Sequence, residues 1–460
     1  MAKNFAKLGL GDAVARILAF AASVYLARVL GADGYGVIAV ALGVTLYLHS
    51  IVDFGVETMG VQRVAGDPPR AGDIVGVFLP GRLATALIAG GVTAGAALLF
   101  LPDLEGRVIS LFMLTLIPVA LSTRWVHLGL ERTGAVALSR VAGEFTVLAL
   151  VLAFVQGLER VALVPVLQFV GDALAIAWLW IRLGPAGVQV VPRWDRSRLS
   201  AWVKSAWPLV GHALLGLVIF NSDLLFLRGF RGRVEVGLYA AAYALVSFLL
   251  NVGWTYAQSL LPTLTRLDRE GGDAASLFQT AFAQVFVVIL PVAVGGAMVS
   301  APLILVVFGE EYAAAGAALA VLVWSVPLSL ARSLSIVSLI SRDRQDLVLR
   351  TTTSSAVVNL ILNILLIPPF GLMGAAAATV ITEGQRAALA YVFTRSVGFP
   401  HVRVARFWKP LLPAAAMAVA LWLAAPLHVA VQIPLGALVY AVGLIGLGAV
   451  RLRGGVGLNV

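Results

Sequence analysis

The sequence has no cysteine, few charged residues and none of the common enzyme motifs. The lack of cysteine among 460 residues excludes disulfides, thiolate metal sites and cysteine nucleophiles. Charged residues make up 12%, about half the share typical of soluble domains. No H-E-x-x-H, G-x-S-x-G or G-x-x-x-x-G-K-[ST] sequence occurs, so neither a zinc or serine hydrolase nor a P-loop ATPase is predicted. The five histidines lack metal-ligand spacing, and no metal site is expected.

Apolar residues are abundant instead. They form 60% of the chain, and the mean hydropathy is +0.96. A helix that crosses a bilayer needs about 20 apolar residues, and such stretches recur along the whole sequence. The alternation typical of porin strands is absent, and lipid-embedded backbone must form its own hydrogen bonds. The sequence therefore predicts an all-α polytopic membrane protein with about 14 transmembrane helices, and no nucleic-acid partner despite its net charge of +10.

The distribution of basic residues predicts the orientation. With the N-terminus inside, 23 of the 33 Lys and Arg residues fall on the cytoplasmic side and six fall outside. Cytoplasmic loops of membrane proteins carry such an excess of Lys and Arg. We therefore expect a multi-pass protein of the cell (inner, cytoplasmic) membrane with both termini in the cytoplasm.

A long polar connection and an internal echo predict two halves. The segment from Tyr35 to Ala41 is echoed 201 residues later by the segment from Val236 to Ala242. A parallel repeat of this kind is one of the known transporter plans. The predicted organisation is a six-helix lobe at 1–183, a cytoplasmic linker at 184–207, a second six-helix lobe at 208–395 and two additional helices at 396–460.

Several basic residues lie inside apolar helices. A charge at the bilayer centre costs about 2.5–3.5 kcal/mol on insertion scales, so it usually faces a cavity or a partner. Four guanidinium groups at similar depth predict a cationic cavity for an anionic substrate, and Arg binds phosphate in a bidentate manner. The four are Arg16, Arg82, Arg332 and Arg386. The alternative is that they snorkel at helix ends or form ion pairs such as Asp12–Arg16 and Glu383–Arg386.

Acidic and amide residues in the same helices are candidates for binding a coupling ion. They are Asp223, Asn221, Asp12, Asp53, Glu144, Asp172 and Glu383. A carboxylate with amide neighbours could bind a proton or Na⁺, or could instead cap the local backbone. The counter-charge of Asp223 is expected from another helix, such as the one that holds Arg332, or from a bound ion. No other cofactor is expected.

The order and spacing of several motifs carry a resemblance. It rests on the segments from Leu26 to Gly36, Asp53 to Gly55, Val236 to Tyr243, Phe308 to Tyr312 and Asn359 to Ala376. Over residues 4–395 the sequence resembles bacterial polysaccharide-biosynthesis flippases of the oligosaccharide or O-antigen type. These belong to the multidrug/oligosaccharidyl-lipid/polysaccharide exporter superfamily.

The resemblance implies two six-helix lobes around a central cavity, with alternating access to the two sides of the membrane. It implies transport of a polyprenyl-pyrophosphate-linked oligosaccharide from the cytoplasmic to the outer leaflet, driven by an ion gradient or the membrane potential. The arginines would hold the pyrophosphate while the lipid tail stays in the bilayer. A glycan polymerase and glycosyltransferases are the expected protein partners.

Three other functions are weighed against this one. A lipid II flippase is a close relative, but the early motifs fit the polysaccharide branch better. A drug or cation antiporter of the same superfamily would need acidic rather than cationic cavity chemistry. A membrane-embedded glycan polymerase or ligase usually has a large external loop, whereas the external loops expected here are short, so the chain is not expected to be an enzyme.

Overall fold

The computed structural model describes residues 2–401, 408–448, 450–451 and 457–458, and these are almost entirely α-helical. Together with the membrane-spanning lengths of the helices, this confirms the predicted all-α membrane fold. The chain forms two compact units, Met1–Leu217 (unit 1) and Val218–Val460 (unit 2). The boundary falls inside one helix, Arg196–Phe230, which passes from the first unit to the second.

Unit 1 contains eight helices and the beginning of a ninth within its described residues. They are α1 (Ala2–Asp53), α2 (Val56–Gly66), α3 (Ala71–Phe100), α4 (Asp103–Phe112), α5 (Leu116–Leu121), α6 (Arg124–Gly129), α7 (Thr133–Phe154), α8 (Val164–Ile181) and α9 (Arg196–Phe230). Short 3₁₀ turns lie at Pro68–Arg70, Met113–Thr115, Leu158–Leu163 and Gly184–Ala186.

Unit 2 begins with the second part of α9 and continues through eight further described helices. They are α10 (Arg233–Arg269), α11 (Ala274–Met298), α12 (Ser300–Phe308), α13 (Ala315–Leu322), α14 (Ser325–Ser341), α15 (Gln345–Ser396), α16 (Trp408–Leu423) and α17 (Val429–Gly446). A 3₁₀ turn occupies Glu310–Tyr312, and a two-residue antiparallel pair joins β1 (Val450–Arg451) to β2 (Gly457–Leu458).

Within the described residues, eleven helical segments are long and apolar enough to cross a membrane. Two of them are about twice the length that one crossing needs, because α1 and α15 each contain 52 residues. Each is broken at a glycine, Gly31 in α1 and Gly371 in α15. Counting both as double crossings, and adding the shorter apolar helix α16, would give the 14 crossings expected from the sequence. That number stays a prediction.

Many large apolar side chains are exposed, and several polar and charged groups are buried, as expected for helices that contact lipid. Leu99, Phe100 and Trp422 are largely exposed, whereas Asp223 and Glu383 are each only 1% exposed. Lipid contact favours this arrangement, because a polar group in hydrocarbon must find a partner inside the protein.

The sequence echo has a counterpart in the backbone. Gly31 interrupts α1 with φ 68° and ψ 176°, and Gly232 precedes α10 with φ 96° and ψ −178°. These two residues are separated by the same 201 positions as the echo, and both have a positive φ that favours glycine. A glycine with a positive φ and an extended ψ therefore precedes both segments of the sequence echo.

Part of the polar connection predicted at 184–207 packs against α3. This part precedes α9, which begins at Arg196. Pro80 has no N–H, so the carbonyl of Gly76 one turn earlier lacks its helical donor. The N–H of Arg193 donates to this carbonyl at 2.8 Å. A side chain on Gly76 would overlap the carbonyl oxygen of Val191, and one on Gly72 would overlap that of Gln189. Residues 188–193 have no regular secondary structure, and we call them the strap. The strap thus lies on the glycine face of α3.

The start of α9 is fixed by Asp195, just outside the membrane-spanning part. Its carboxylate accepts the N–H of Arg198 at 3.0 Å and the hydroxyl of Ser197 at 2.7 Å. The N–H of Arg198 contributes most to lowering the pKa of Asp195, followed by the Ser197 hydroxyl. A carboxylate at this position is favoured by the partial positive charge of a helix N-terminus.

Candidate functional site

A sharp turn after α1 places Asp53 inside unit 1. Phe54 and Gly55 both have a positive φ, 44° and 75°, which separates α1 from α2. The Asp53 carboxylate accepts the N–H of Glu57 at 3.2 Å and so caps α2. The indole of Trp202 on α9 donates to the Phe54 carbonyl at 3.0 Å. The Asp53–Phe54–Gly55 motif is therefore a helix break whose free backbone groups have side-chain partners.

A second break, between α5 and α6, determines the position of Arg82. This buried guanidinium donates to the carbonyls of Val119 at 2.6 Å and Ser122 at 3.1 Å, and forms an ion pair with Asp53 at 3.4 Å. Trp180 donates to the neighbouring carbonyl of Leu121 at 2.8 Å. A helix C-terminus leaves carbonyls without internal donors and favours cations. Arg82 therefore stabilises a broken helix and an internal carboxylate.

These two breaks border a cavity of about 460 Å³ in unit 1, within the usual range of about 300–1,000 Å³ for small-molecule sites. Three residues predicted from the sequence line it together, namely Asp53, Arg82 and Asp172. Asp172 accepts a hydrogen bond from Gln168 at 3.1 Å and has no ion pair among the described residues. The remaining polar lining residues are His49, Ser50, Glu57, Thr58 and Ser122.

The other predicted residues of unit 1 do not line this cavity. Asp12 forms an ion pair with Arg140 of α7 at 2.8 Å, rather than with Arg16 on its own helix. Arg16 is half-buried and makes no hydrogen bond or ion pair within the described part of the chain. Glu144 lies one turn after Arg140 on α7 and is also half-buried. Asp12, Arg16 and Glu144 thus lie outside the cavity lining, although Glu144 is close enough to Asp172 to interact with it electrostatically.

Unit 2 brings together three of the predicted residues in a buried charged triad. Glu383 of α15 accepts the Nε–H of Arg332 of α14 at 3.1 Å and forms an ion pair with Arg386 one turn later on its own helix. Arg332 also donates to the Ser329 hydroxyl at 2.8 Å, and the Arg386 guanidinium lies 5.3 Å from the ring centre of Phe220. The triad carries two positive charges and one negative charge, so its net charge is +1.

Asp223, the main coupling candidate, lies in a buried cluster of neutral donors. Its carboxylate is 1% exposed and accepts hydrogen bonds from Tyr239 at 2.7 Å, Thr379 at 2.7 Å and Asn363 at 2.6 Å. It has no ion pair among the described residues. Asn221, two residues earlier on α9, is half-buried. Arg332, which the sequence suggests as the counter-charge of Asp223, pairs with Glu383 instead.

Sequence reasoning missed the donors around Asp223. Tyr239 and Thr379 lie on α10 and α15 and look like ordinary helix residues in the sequence. The spacing of Asn359 and Asn363 was the available signal, because two amides one turn apart in an apolar helix usually bond to another helix. The hydroxyl of Ser222 does donate to Asn359 at 2.9 Å.

Unit 2 also contains an apolar groove of about 490 Å³. Its lining comes from α10, α11, α12, α13 and the two C-terminal helices α16 and α17. Leu249, Val292, Met417, Leu421 and Ile433 contribute to it. The polar cavity of unit 1 and the apolar groove of unit 2 therefore have opposite chemistry.

The sequence matches two family models and one curated relative. A family model described as "Polysaccharide biosynthesis protein" matches residues 1–268, and one described as "Lipid II flippase MurJ" matches residues 233–434. A curated relative, the "Probable low-salt glycan biosynthesis flippase Agl15" of Haloferax volcanii, is 26% identical over 216 residues. That match covers 43% of this chain and 45% of the relative, so the chain spans less than half of the relative's length.

Solved structures share the fold at low sequence identity. A lipid II flippase MurJ in an inward closed conformation has a TM-score of 0.78 at 14% identity, covering 95% of this chain and 98% of that chain. An inward-facing multidrug resistance MATE family transporter of the MOP superfamily has a TM-score of 0.66 at 16% identity, covering 83% and 94%. These descriptions name flippases and transporters and no enzyme, in agreement with the sequence-based expectation. The helices of membrane-spanning length make the chain a multi-pass membrane protein. Because the first family model matches more than half of the chain, the chain belongs to the polysaccharide biosynthesis protein family.

Proposed function

We propose that this protein moves a polyprenyl-pyrophosphate-linked oligosaccharide from the cytoplasmic to the outer leaflet of the cell membrane by alternating access. The observation that carries the proposal is the polar cavity of about 460 Å³ that membrane-length helices form in unit 1. A polar cavity at membrane depth provides partners for sugar hydroxyls that lipid cannot provide. The match to the polysaccharide biosynthesis family supports this assignment.

The apolar groove of unit 2 is the proposed site for the first isoprene units of the tail. Its lining is almost wholly aliphatic, with Tyr440 as the main polar exception, and the Tyr440 hydroxyl donates internally to Val287 at 2.8 Å. A groove without free polar groups suits a hydrocarbon chain, because neither partner loses hydrogen bonds to water.

The pyrophosphate is assigned to the arginines of unit 2. Glu383 balances one of the two guanidinium groups of Arg332 and Arg386, which leaves one positive charge for an anion. Arginine is suited to this task because its planar fork matches phosphate oxygens. Arg82 is less available, because its guanidinium is bonded to Asp53 and to two main-chain carbonyls. Arg16, which has no such partners among the described residues, is the remaining candidate of unit 1.

We assign the coupling ion to Asp223, with a proton as the preferred ion. The Asp223 carboxylate oxygen, the Tyr239 hydroxyl and the Thr379 hydroxyl lie 2.7, 2.7 and 2.8 Å from one another. Two hydroxyl protons can fill only two of these three contacts, and a proton on the carboxyl would fill the third. Binding in only one state of the transport cycle would let a gradient bias that cycle.

The MurJ match over residues 233–434 favours a second substrate, lipid II, which has the same pyrophosphate and tail but a different glycan. The two substrates can be compared in proteoliposomes that contain the purified protein and one fluorescent lipid-linked glycan. A membrane-impermeant reagent that quenches only outer-leaflet glycan measures the rate of movement. Equal rates for lipid II and for other lipid-linked oligosaccharides would contradict a dedicated polysaccharide role, and no movement of either would refute the flippase proposal.

Two variants test the assigned residues in the same assay. Arg386→Ala should reduce transport at least tenfold, while Arg107→Ala, an exposed arginine paired with Asp103, is the matched control. Asp223→Asn should keep substrate binding but lose the response to an imposed proton gradient. If Asp223→Asn responds to the gradient as the parent protein does, Asp223 is structural and the coupling site lies elsewhere.

The proposed orientation is tested with single cysteines, since the parent chain contains none. A cysteine at Val190 and another added after Val460 should both react with an impermeant maleimide only from the cytoplasmic side. Labelling of either position from outside would reverse the topology.

A further inference from the structure

The cavity of unit 1 has an uneven balance of charges. Asp53, Glu57 and Asp172 contribute three carboxylates to its lining, and Arg82 contributes the one guanidinium. Asp53 is paired with Arg82 at 3.4 Å, and Glu57 is paired at 2.7 Å with Arg124, which stands outside the lining. Asp172 is therefore the carboxylate of the lining that has no cationic partner among the described residues.

We propose that this cavity is a sugar subsite that accepts uncharged hydroxyl-bearing rings and rejects acidic sugars such as uronic acids. The inference rests on the proposed function and narrows its substrate class. The inference has two bases. Asp172 has no cationic partner among the described residues, and Arg82, the guanidinium of the lining, is already paired with Asp53. When Asp172 is ionised, it repels a second carboxylate brought into this space by the substrate, because like charges at close range inside a protein interact strongly.

The hydrogen-bonding groups of the cavity lead to the same conclusion. One oxygen of Asp172 accepts from Gln168, which leaves the other oxygen as an acceptor in the lining. His49 Nε2 lies 3.5 Å from the Thr115 hydroxyl oxygen, and that hydroxyl already donates to the Phe112 carbonyl at 2.7 Å. The tautomer in which His49 Nε2 carries the hydrogen fits this contact, and it leaves Nδ1 as an acceptor.

Acceptors in a cavity require donors from the ligand. A sugar hydroxyl can donate to the free oxygen of Asp172 or to His49 Nδ1, whereas an ionised carboxylate has acceptors only. Arg82, the natural partner for such a carboxylate, is 6% exposed and already bonds to Asp53, Val119 and Ser122. The Nε of Arg82 has no hydrogen-bond partner but is enclosed by the protein, so a uronic acid could reach this guanidinium only if the contacts that stabilise the break between α5 and α6 rearranged.

The test compares two lipid-linked sugars that differ only at one carbon. The probes are polyprenyl-pyrophosphate-linked glucose and the corresponding glucuronic acid, assayed separately in proteoliposomes with the full chain. We expect the parent protein to move the glucose form at least tenfold faster, which corresponds to about 1.4 kcal/mol. Asp172→Asn should narrow this ratio to less than threefold, because asparagine has no charge and adds a donor.

Two further variants separate charge from folding. Asp172→Glu retains the charge and should retain the preference, so equal ratios for the Asn and Glu variants would overturn the proposal. Asp103→Asn removes an exposed carboxylate of α4 and should leave the ratio unchanged. Because each ratio is measured within one variant, a loss of folded protein lowers both rates and leaves the ratio interpretable.

The outcomes also distinguish this inference from the proposed function. If the parent protein moves both sugars at the same rate, the flippase proposal stands and the sugar discrimination is wrong. If neither sugar is moved, the flippase proposal itself fails. A single cysteine at Ala213, which lines the cavity, gives an independent readout, because methyl glucoside should slow its alkylation and methyl glucuronide should not. A cysteine at Ala437 in the apolar groove is the control and should be insensitive to both.

Discussion

The contact between the strap and α3 can be tested by adding one methyl group. In Gly76→Ala the new Cβ would overlap the carbonyl oxygen of Val191 and lie 3.0 Å from its carbonyl carbon. Both atoms belong to the main chain, so no side-chain rotation relieves the clash. The strap must move away, and the hydrogen bond from the Arg193 N–H to the Gly76 carbonyl is then lost.

The expected destabilisation of unit 1 is about 3 kcal/mol, because a clash with a main-chain carbonyl oxygen places the overpacking cost at the top of its range. Overpacking of a close contact typically costs about 1–3 kcal/mol, and a lost hydrogen bond adds about 0.5–1.5 kcal/mol. Alanine recovers about 0.5–1 kcal/mol through its higher helix propensity. For a unit of 150–250 residues, a change of 1 kcal/mol shifts Tm by about 2–4 °C, so we expect Gly76→Ala to lower the Tm of unit 1 by about 6–12 °C.

The matched control is Gly91→Ala on the same helix. A Cβ on Gly91 has no heavy atom within 4 Å, so this variant should be as stable as the parent or slightly more stable. Thermal unfolding in detergent measures both variants. A cysteine at Val188, which is 8% exposed in the strap, should react faster with maleimide in the Gly76→Ala background. Equal Tm values for the two alanine variants would refute the close contact between strap and helix.

Three further predictions concern buried polar groups and a strained turn. Glu383→Gln should cost about 3–5 kcal/mol of stability, because it leaves two buried guanidinium groups without their carboxylate, and chemical denaturation measures this loss. Gly371→Ala should lower Tm because alanine does not readily adopt φ 53° and ψ −128°, whereas Gly384→Ala on the same helix, where the added Cβ makes only ordinary contact, should not. Arg82→Lys should destabilise unit 1 by about 2 kcal/mol, because an ammonium cannot span Asp53 and two carbonyls as a guanidinium does, and a Tm equal to that of the parent would contradict the structural role of Arg82.

The membrane fold was predictable because hydropathy and helix length determine it almost alone. The turn at Asp53–Phe54–Gly55 was visible as a motif, but its function as a capped helix break depends on Trp202, which lies about 150 positions away in the sequence. The contacts of the charged residues were predictable only where both partners are on one helix, as for Glu383 and Arg386. Arg82 bonds to carbonyls of a distant helix, and main-chain acceptors have no sequence signature.

The interpretation of Asp223 shows a further limit of sequence reasoning. A buried carboxylate suggests a search for a basic partner, and the sequence offered Arg332 as one. The structure instead surrounds Asp223 with hydroxyl and amide donors from α10 and from both segments of α15. Neutral donors are common in apolar helices, so a sequence cannot indicate which of them converge on one carboxylate.

The break between α5 and α6 has a consequence for how the cavity of unit 1 is filled and emptied. Most open helix ends beside a polar space rely on ordered water for their carbonyls. Here the carbonyls of Val119, Leu121 and Ser122 receive their donors from Arg82, Trp180 and Trp125. The wall of the cavity therefore keeps its shape whether it is wet or dry. Incoming cargo can displace the solvent without unravelling the peptide chain around it, and solvent can return after the cargo leaves.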